Sequence, residues 1–530
     1  MRKEDFFNRS GYLDMLTKRV SGLKDGYRQN MAIVGEELVG KTSLLFRFLD
    51  TFTDNRILVM YIEVRAETLA SFAKRFIGIL LYNFLSPCEN DLEENISFLL
   101  NKSEKYIPRT VCKIRAILHA LEQRKKNALF TELLSLTETF YQETTKSCVI
   151  IFDEFQHLER LGVRNLYREW AKLLMTQKNT MYIIASSMVF KTKTVLAKQL
   201  SLLFGNFEII TLQPFDIKTS SAYLEHTLKG HPLNPGYKEF LVSFSGGYPF
   251  YLKIITEELR RNEKRSLVDI LEHLLFDYSG ALHQRFTHYV KRILDHTYGH
   301  DHLAALYLIA QGRNKIKDVT LLLRKTAAQM NSRINHILET DIILKNGDFL
   351  KMNDRVFGFW LRYVYQEKSN SLTFDAKNQK EKFRDYIEAA IRDFLYHSQR
   401  PITERLNELL EAFADDTIQV DKKKVKLSHF REIKPLEFRS NCVPCGLLGR
   451  SRESLWIIGF KKERLNEEDI SLFAQECKRY HHKIQRKIIV TLHDIDMNTR
   501  LRALDEKIWA WDVNNLNQIL DLFSHARVVA

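Results

Sequence analysis

The chain runs to 530 residues with a formal charge of +14, a pI near 9.2, 45% hydrophobic residues and 28% charged ones. That balance is ordinary for a soluble globular protein, and the length fits three or four domains, each with its own core. The six cysteines, mostly far apart, exclude a disulfide framework, and the positive charge points to an anionic partner, nucleic acid first, with general solubility as the plainer alternative.

Helix formers dominate and Gly and Pro are scarce, 20 and 9 respectively, so most of the chain should be helical. The N-terminal MRKEDFFNRS has no apolar signal core. The longest apolar stretch, Phe76 to Leu85, is too short to span a bilayer. A cytoplasmic protein with no membrane segment is expected.

Residues 1–30 hold Phe6-Phe7-Asn8-Arg9 and then an amphipathic helix with Tyr12, Leu13, Leu16, Val20 and Leu23 on one side, closed by Gly26. The aromatic pair is either core or a wall for a nucleotide base. Met31-Ala32-Ile33-Val34 is a short apolar run that reads as a buried strand. It leads into Gly35-Glu36-Glu37-Leu38-Val39-Gly40-Lys41-Thr42-Ser43 and an apolar helix running to Asp50. This is the G-x-x-x-x-G-K-[ST] phosphate loop between its strand and its helix. The glycines let the backbone turn its N–H groups onto phosphate oxygens, and the helix N-terminus adds favourable charge. Lys41 is placed for the β and γ phosphates of ATP, and Thr42 for Mg²⁺.

Arg56 to Val64 reads as a second strand, Ala70 to Leu85 as a helix, and 88–146 as a helical insertion with Arg124-Lys125-Lys126 in solvent. Cys148-Val-Ile-Ile-Phe152 is a strand ending in Asp153-Glu154. Many strands end in acid, but behind a phosphate loop this is the Walker B arrangement. Asp153 would support Mg²⁺, and Glu154 would orient and deprotonate the attacking water. After a helix from Arg164 to Met175, the strand Thr180 to Ala185 ends in Ser186-Ser187. Ser187 is a candidate γ-phosphate sensor, or simply part of a turn. Phe207 to Leu212 is a fifth strand, and the alternation of strands and helices predicts an α/β fold with a parallel sheet wound on both faces.

Residues 217–275 turn helical around Ser245-Gly246-Gly247-Tyr248-Pro249, where Pro249 suits a first helical turn. Residues 283–302 carry His283, His288, His296, His300 and His302 and read as a solvated linker. Three short helices (303–310, 316–323 and 331–338) then precede a hairpin, 342–352, turning at Asn346-Gly347. That is the layout of a winged helix, whose third helix would offer Asn331, Arg333, Asn335 and His336 to DNA or dock a protein instead. Residues 372–390 read as a polar linker running into a helix, Phe383 to Tyr396. The last 130 or so residues return to mixed α/β, with strands near 455–460 and 487–492, a basic run at Lys422 to Lys426 and a last helix at 516–524. Cys442-Val-Pro-Cys445 has no second pair at zinc spacing.

Together these segments resemble the archaeal-type ATPases of the STAND branch of AAA+-related P-loop NTPases. The resemblance rests on Phe7-Asn8-Arg9, GEELVGKTSLL, VIIFDEFQHL, IIASSM, SGGYPFYL and, most specifically, Met352 to Arg362, MNDRVFGFWLR. Glu36-Glu37-Leu38 stand where the family carries Pro and Arg, and Arg355 where it carries Pro. The resemblance implies an ATPase core at 1–215 and a helical lid at 216–298, with Pro249 helping to close over nucleotide. It implies a winged helix at 299–370 and, at 371–530, a domain similar to Mrr-type restriction nucleases. Arg164 and Arg168 are candidates only for an arginine finger.

In that last domain the family's Asp falls near Val443 or Pro444, and its E-x-K becomes Phe460-Lys461-Lys462. A site without both carboxylates cannot hold a hard dication, so a nuclease-like fold without cleavage is expected. The expected function is an ATP-driven switch or motor acting on DNA through the winged helix and the basic C-terminal domain. Two alternatives remain: a nucleotide-regulated scaffold for a protein partner or for further copies of the chain, and an active nuclease using Asp421, Glu432 and Lys434.

Overall fold

The computed structural model describes residues 6–123, 128–201, 207–231, 233–262, 264–372, 375–420, 423–438, 443–452, 454–480 and 484–529. Arg124 to Lys126, Asp421, Lys422 and Cys442 therefore lie outside the described residues. The chain divides into two compact units, the first comprising Met1–Pro214 with Glu339–Asp341 and the second Phe215–Leu338 with Ile342–Ala530.

In the first unit, α1 (Ser10–Gly22) buries Leu16 and Val20 and ends near Gly26, whose φ of 85° is open to glycine without strain. Strand β1 (Met31–Val34) is buried at every position and feeds α2 (Lys41–Thr51). Next come β2 (Ile57–Glu63) and α3 (Leu69–Leu85), the latter capped by the Thr68 side chain accepting from Ser71 N. The insertion is α4 (Ile96–Ser103), α5 (Pro108–Glu122) and α6 (Leu129–Thr144). Its residues Leu99, Ile114, Phe130 and Phe140 join α3 and the sheet in one apolar cluster. The unit continues with β3 (Ser147–Asp153), a 3₁₀ turn at Phe155–Leu161, α7 (Leu166–Thr176), β4 (Thr180–Ser186), α8 (Val189–Lys198) and β5 (Glu208–Thr211).

The strands lie in the order β2-β3-β4-β1-β5, and every pairing is parallel. Crossover helices cover a sheet of this kind on both faces, which is why β1, β3 and β4 read as unbroken apolar runs. The order matters for function. The chain leaves β1, β4 and β3 at the same edge of the sheet, and in open parallel sheets that carboxyl edge is where ligands bind.

The second unit begins with α9 (Ile217–Thr227), α10 (Pro235–Ser245), α11 (Pro249–Arg261) and α12 (Leu267–Leu275). The stretch 283–302 is not a linker: α13 (Ala281–Leu294) occupies most of it, and after a short turn α14 (Gly299–Ala310) begins, with His283 and His302 buried. Leu282, Phe286, Val290 and Ile293 form the apolar stripe of α13, and this stripe outweighs the polar histidines around it. The chain goes on through α15 (Ile316–Leu322) and α16 (Ala327–Glu339) to the antiparallel hairpin β6 (Ile343–Asn346) and β7 (Phe349–Met352). Short helices α17 (Arg355–Trp360) and α18 (Gln366–Asn370) flank a π-helical turn at Leu361–Tyr365. The expected linker at 372–390 is largely helix as well, because α19 runs from Ala376 to Gln399 behind an N-cap at Asp375. Lys, Glu, Gln and Ala propagate a helix without apolar periodicity.

The remainder is α20 (Ile402–Glu411), the hairpin β8 (Thr417–Val420) and β9 (Lys423–Lys426), then β10 (Glu432–Leu436), β11 (Cys445–Arg450) and β12 (Leu455–Lys461). It ends with α21 (Glu467–Lys478), β13 (Ile484–Thr491), α22 (Met497–Asp505), β14 (Ile508–Trp511) and α23 (Val513–Leu522). Strands β10 to β14 form a second sheet in sequence order, antiparallel from β10 to β12 and parallel from β12 to β14. The turn of the β6–β7 hairpin is covered: a Cβ on Gly347 would lie 1.9 Å from Thr417 O, and Asp348 N donates to Thr417 O at 2.8 Å. Phe349 sits in the same apolar cluster as Phe413, Trp456 and Leu516.

Candidate functional site

The phosphate loop is built by close backbone approach. A Cβ on Gly35 would meet Leu212 O at 2.5 Å, so only glycine lets β1 leave the sheet against the end of β5. Gly40 has φ 94° with open space around it, which makes its requirement one of backbone angle rather than room. Between them, Leu38 is held at φ 69°, an uncommon angle for a side-chain-bearing residue. Arg9, buried to 8% exposure, donates from Nη2 to Val39 O at 3.0 Å and to Gln213 O at 2.8 Å. One guanidinium thus ties the loop to the chain leaving β5.

Lys41 opens α2 and folds back over the loop, with Nζ donating to Gly35 O at 2.8 Å and to Glu36 O at 2.9 Å. Burial lowers its pKa, opposed by the charges of Glu154, Asp153, Glu37 and Glu36. Thr42 Oγ1 donates to Asp153 Oδ2 at 2.8 Å, so these two oxygen-bearing side chains, from α2 and the end of β3, stand side by side. Tyr61, from β2, donates its hydroxyl to the same Oδ2 at 2.8 Å and is held as the phenol by burial and by Asp153 itself. A hydroxyl beside a carboxylate, within a ring of acidic charge, is a donor set that suits Mg²⁺ bound through an oxygen pair together with phosphates. Ser43 follows on the first turn of α2, partly buried.

Glu154 has φ 53° and ψ 43°, in the left-handed region. Its N–H donates to Asp153 Oδ1 at 2.9 Å, while Oε2 accepts from Ser187 Oγ at 2.8 Å and from Gln156 Nε2. Gln156 is itself fixed, since Ser186 Oγ donates to its Oε1 at 2.6 Å and Thr192 Oγ1 donates to Ser186 Oγ at 2.7 Å. A buried chain of polar side chains therefore runs from α8 through the end of β4 to the carboxylate of Glu154. Sequence reading had placed Lys41, Thr42, Asp153, Glu154 and Ser187, and the structure brings these together on one edge of the sheet. It had missed Tyr61, Gln156, Ser186 and Thr192 and had given Arg9 no role at the loop. Two signals were present: Gln156 two residues beyond the acidic pair, and the first serine of the Ser-Ser pair.

The other expected positions lie elsewhere. Pro249 opens α11 behind its N-cap Tyr248, which follows Gly246 and Gly247, both at positive φ. Arg164 and Arg168 are exposed, before and on α7. On α16, Asn331 and Asn335 face solvent, but Arg333 donates to Asp301 at 3.2 Å and its guanidinium lies 3.2 Å from the Tyr298 ring centroid. In the C-terminal sheet Val443 is fully buried, and Lys461 donates to both oxygens of Asp469 at 2.7 and 2.8 Å. Asp469 in turn belongs to the capping box of α21, so Lys461 is a structural partner there. Glu432 and Lys434 pair with each other at 2.8 Å on the exposed edge strand β10. Among the described residues no three His, Cys, Asp or Glu converge as a metal site, and no helix is long and apolar enough to cross a membrane.

Residues 6–255 match a family model described as an ATPase domain predominantly from Archaea. This part of the chain is therefore similar to that ATPase domain, and it holds the parallel sheet and the phosphate loop. Among solved structures, the chain is similar to the Walker-type ATPase PABY2304 of Pyrococcus abyssi, at 21% identity over 68% of this chain and 97% of that one, with a TM-score of 0.49. The ORC2 protein of Aeropyrum pernix matches at 12% identity, covering 74% and 95%, with a TM-score of 0.39. The RuvB Holliday junction branch migration motor of Thermotoga maritima matches at 10% identity, covering 70% and 98%, with a TM-score of 0.29. Comparison with curated proteins finds no match.

Proposed function

We propose that the chain is an ATP-hydrolysing switch. The observation that carries this reading is the meeting of Lys41, Thr42, Asp153 and Glu154 on one sheet edge, with Thr42 and Asp153 in contact. The loop from Gly35 through Glu36, Glu37, Leu38, Val39 and Gly40 to Ser43 holds the phosphates of ATP, and Lys41 meets the β and γ phosphates. Thr42 and Asp153 hold Mg²⁺, which when bound neutralises charge on the phosphate oxygens. Glu154 orients water and accepts its proton. Its two side-chain hydrogen bonds fall on Oε2, so Oε1 takes the proton in this reading. Ser187 and Gln156 set its angle.

In the second unit, residues 216–298 serve as lid and 299–370 as a winged helix, and 371–530 form a nuclease-like domain without cleavage activity. The positive charge supports a DNA partner for this unit. Two observations favour the alternative reading, a nucleotide-regulated scaffold that docks protein. The hairpin turn is already covered by Thr417, and Arg333 is turned onto Asp301. The test is ATP turnover by wild type and Glu154→Gln, with and without duplex DNA, at two salt concentrations. A glutamine keeps an oxygen for Ser187 and Gln156 but cannot take the proton, so turnover should fall about 10²- to 10⁴-fold with ATP still bound. Salt-sensitive DNA stimulation supports the DNA-acting switch, and turnover indifferent to DNA supports the scaffold. Undiminished turnover in the variant would remove Glu154 from the mechanism.

A further inference from the structure

The second unit contains a cavity of about 480 Å³, within the range of small-molecule sites. Its charged floor is made by Asp521, at the end of α23, with three cations gathered on this one carboxylate. Lys351 Nζ of β7 donates to Oδ2 at 2.6 Å and Arg355 Nη1 of α17 to Oδ1 at 2.9 Å. Arg527 donates from Nε to Oδ1 at 3.0 Å and from Nη2 to Oδ2 at 2.7 Å. Asp521 is only 5% exposed, whereas Lys351 and Arg355 keep 23% and 29% of their side-chain surface open, and both line the cavity. A lysine has three donors and an arginine five, so one bond each to Asp521 leaves both with donors to present.

The charge does not balance. Of the other lining residues, Arg362 adds a cation and Asp393 a carboxylate. With Arg527, which pairs with Asp521 without lining the cavity, four cations stand against two carboxylates, a surplus of two positive charges at a semi-enclosed site. Burial first, and then the neighbouring Arg527, push the Arg355 guanidinium down to about 10. The wall beside this floor is aromatic. Phe244, Phe359, Tyr363 and Tyr386 follow one another with ring centroids 5.3, 4.7 and 4.5 Å apart. An ion-pair cluster that only fastened the chain end would need neither the open donors nor the row of rings.

We propose that this cavity binds a small phosphomonoester carrying a flat ring, of the nucleoside monophosphate class, with its phosphate on Lys351 and Arg355 and its ring against Tyr363 and Tyr386. A phosphomonoester carries close to two negative charges at neutral pH, which matches the surplus, and arginine pairs with phosphate through two parallel bonds. Aromatic side chains accept a planar base by stacking.

The proposal stands apart from the ATPase reading, and the test separates them. AMP and inorganic phosphate are titrated calorimetrically into the full chain and into Arg355→Gln, Tyr386→Ala and Lys41→Met. Arg355→Gln leaves Asp521 paired with Lys351 and Arg527, and Tyr386→Ala lies away from the ion-pair cluster on α19. The expected result is one AMP per chain, weakened at least about tenfold by Arg355→Gln and unchanged by Lys41→Met. Tyr386→Ala should weaken AMP but leave inorganic phosphate alone. AMP binding that is lost in Lys41→Met and kept in Arg355→Gln would place the ligand in the phosphate loop and overturn the proposal. Absence of AMP binding by the wild type would do so as well. A Tyr386→Ala variant that binds AMP normally would overturn the ring contact.

Discussion

Arg9 lies far from the phosphate loop in sequence, yet removing it should damage nucleotide binding. Its Nη2 serves Val39 O and Gln213 O together in a buried setting. Arg9→Leu keeps apolar bulk and orphans both carbonyls, at about 1–3 kcal/mol each. Part of that returns, because a buried guanidinium is itself costly, as its lowered pKa shows. A net loss of about 2–4 kcal/mol remains. Val39 is flanked by two positive-φ residues, Leu38 and Gly40, so the loss falls on a segment with little else to hold its angles. If nucleotide must re-impose the loop, 2 kcal/mol weakens ATP binding about 30-fold. If the loop stays ordered, the same energy appears as lower thermal stability, roughly 2–4 °C for each kcal/mol in a unit of this size. Titration of a non-hydrolysable ATP analogue with Mg²⁺, paired with thermal melts, measures both. An affinity within about threefold of wild type together with an unchanged melting temperature would refute the claim that Arg9 holds the loop.

Three further outcomes are expected. Tyr61→Phe removes one of two hydroxyls on Asp153 Oδ2 and should raise the Mg²⁺ needed for half-maximal turnover by about tenfold, the usual scale for a ligand's supporting partner; an unchanged Mg²⁺ titration would argue against it. Gly35→Ala drives a methyl against Leu212 O, whereas Gly40→Ala meets only backbone strain of about 1–2 kcal/mol, so analogue titration should show the first variant to be the weaker binder. In the second unit, burial pushes the Asp354 carboxyl up to about 6, next to the Tyr251 hydroxyl. A raised folded-state value means stability fully present below about pH 4 and lost as pH rises through 6, by up to about 3 kcal/mol. Asp354→Asn keeps an acceptor at Oδ1 for Phe357 N, turns an amide N–H toward the Tyr251 hydroxyl in place of Oδ2 and removes the titration, so it should abolish that loss; melts from pH 4 to 8 with parallel slopes for both proteins would contradict it.

Much of the first unit was legible because its physics is local. Met31 to Val34 and Cys148 to Phe152 are strands buried on both faces, so they read as unbroken apolar runs, and the glycines, Lys41 and Thr42 hold fixed offsets from the first of them. Tyr61 and Thr192 left no such signal. Tyr61 acts from β2 on the end of β3, strands that are neighbours only in the folded sheet, and Thr192 acts from α8 on Ser186 at the end of β4. The two misread linkers failed for a different reason. Polar residues at 283–302 sit on a helix whose four apolar side chains recur at helical spacing, and Ala376 to Lys382 joins helix-forming residues to the Asp375 N-cap and the ion pairs of Lys380. Polarity of composition describes the solvent face of a helix as readily as it describes a loop.

The Asp153-Glu154 pair shows why a motif names the residues without giving their division of labour. In an extended strand, successive side chains point to opposite faces of the sheet, so continuing β3 by one residue would send the second carboxylate away from the first. Glu154 instead takes φ 53°, a costly angle for a residue with a side chain. This turn redirects the chain at the strand end: Asp153 remains buried against Thr42 and Tyr61, while Glu154 reaches Ser187 beyond the end of β4. Its own N–H bonding to Asp153 Oδ1 and the donors from Ser187 and Gln156 hold the strained angle in place. The proposed split of two adjacent carboxylates between metal and water rests on this, because one left-handed residue gives them different neighbours on the same edge of the sheet.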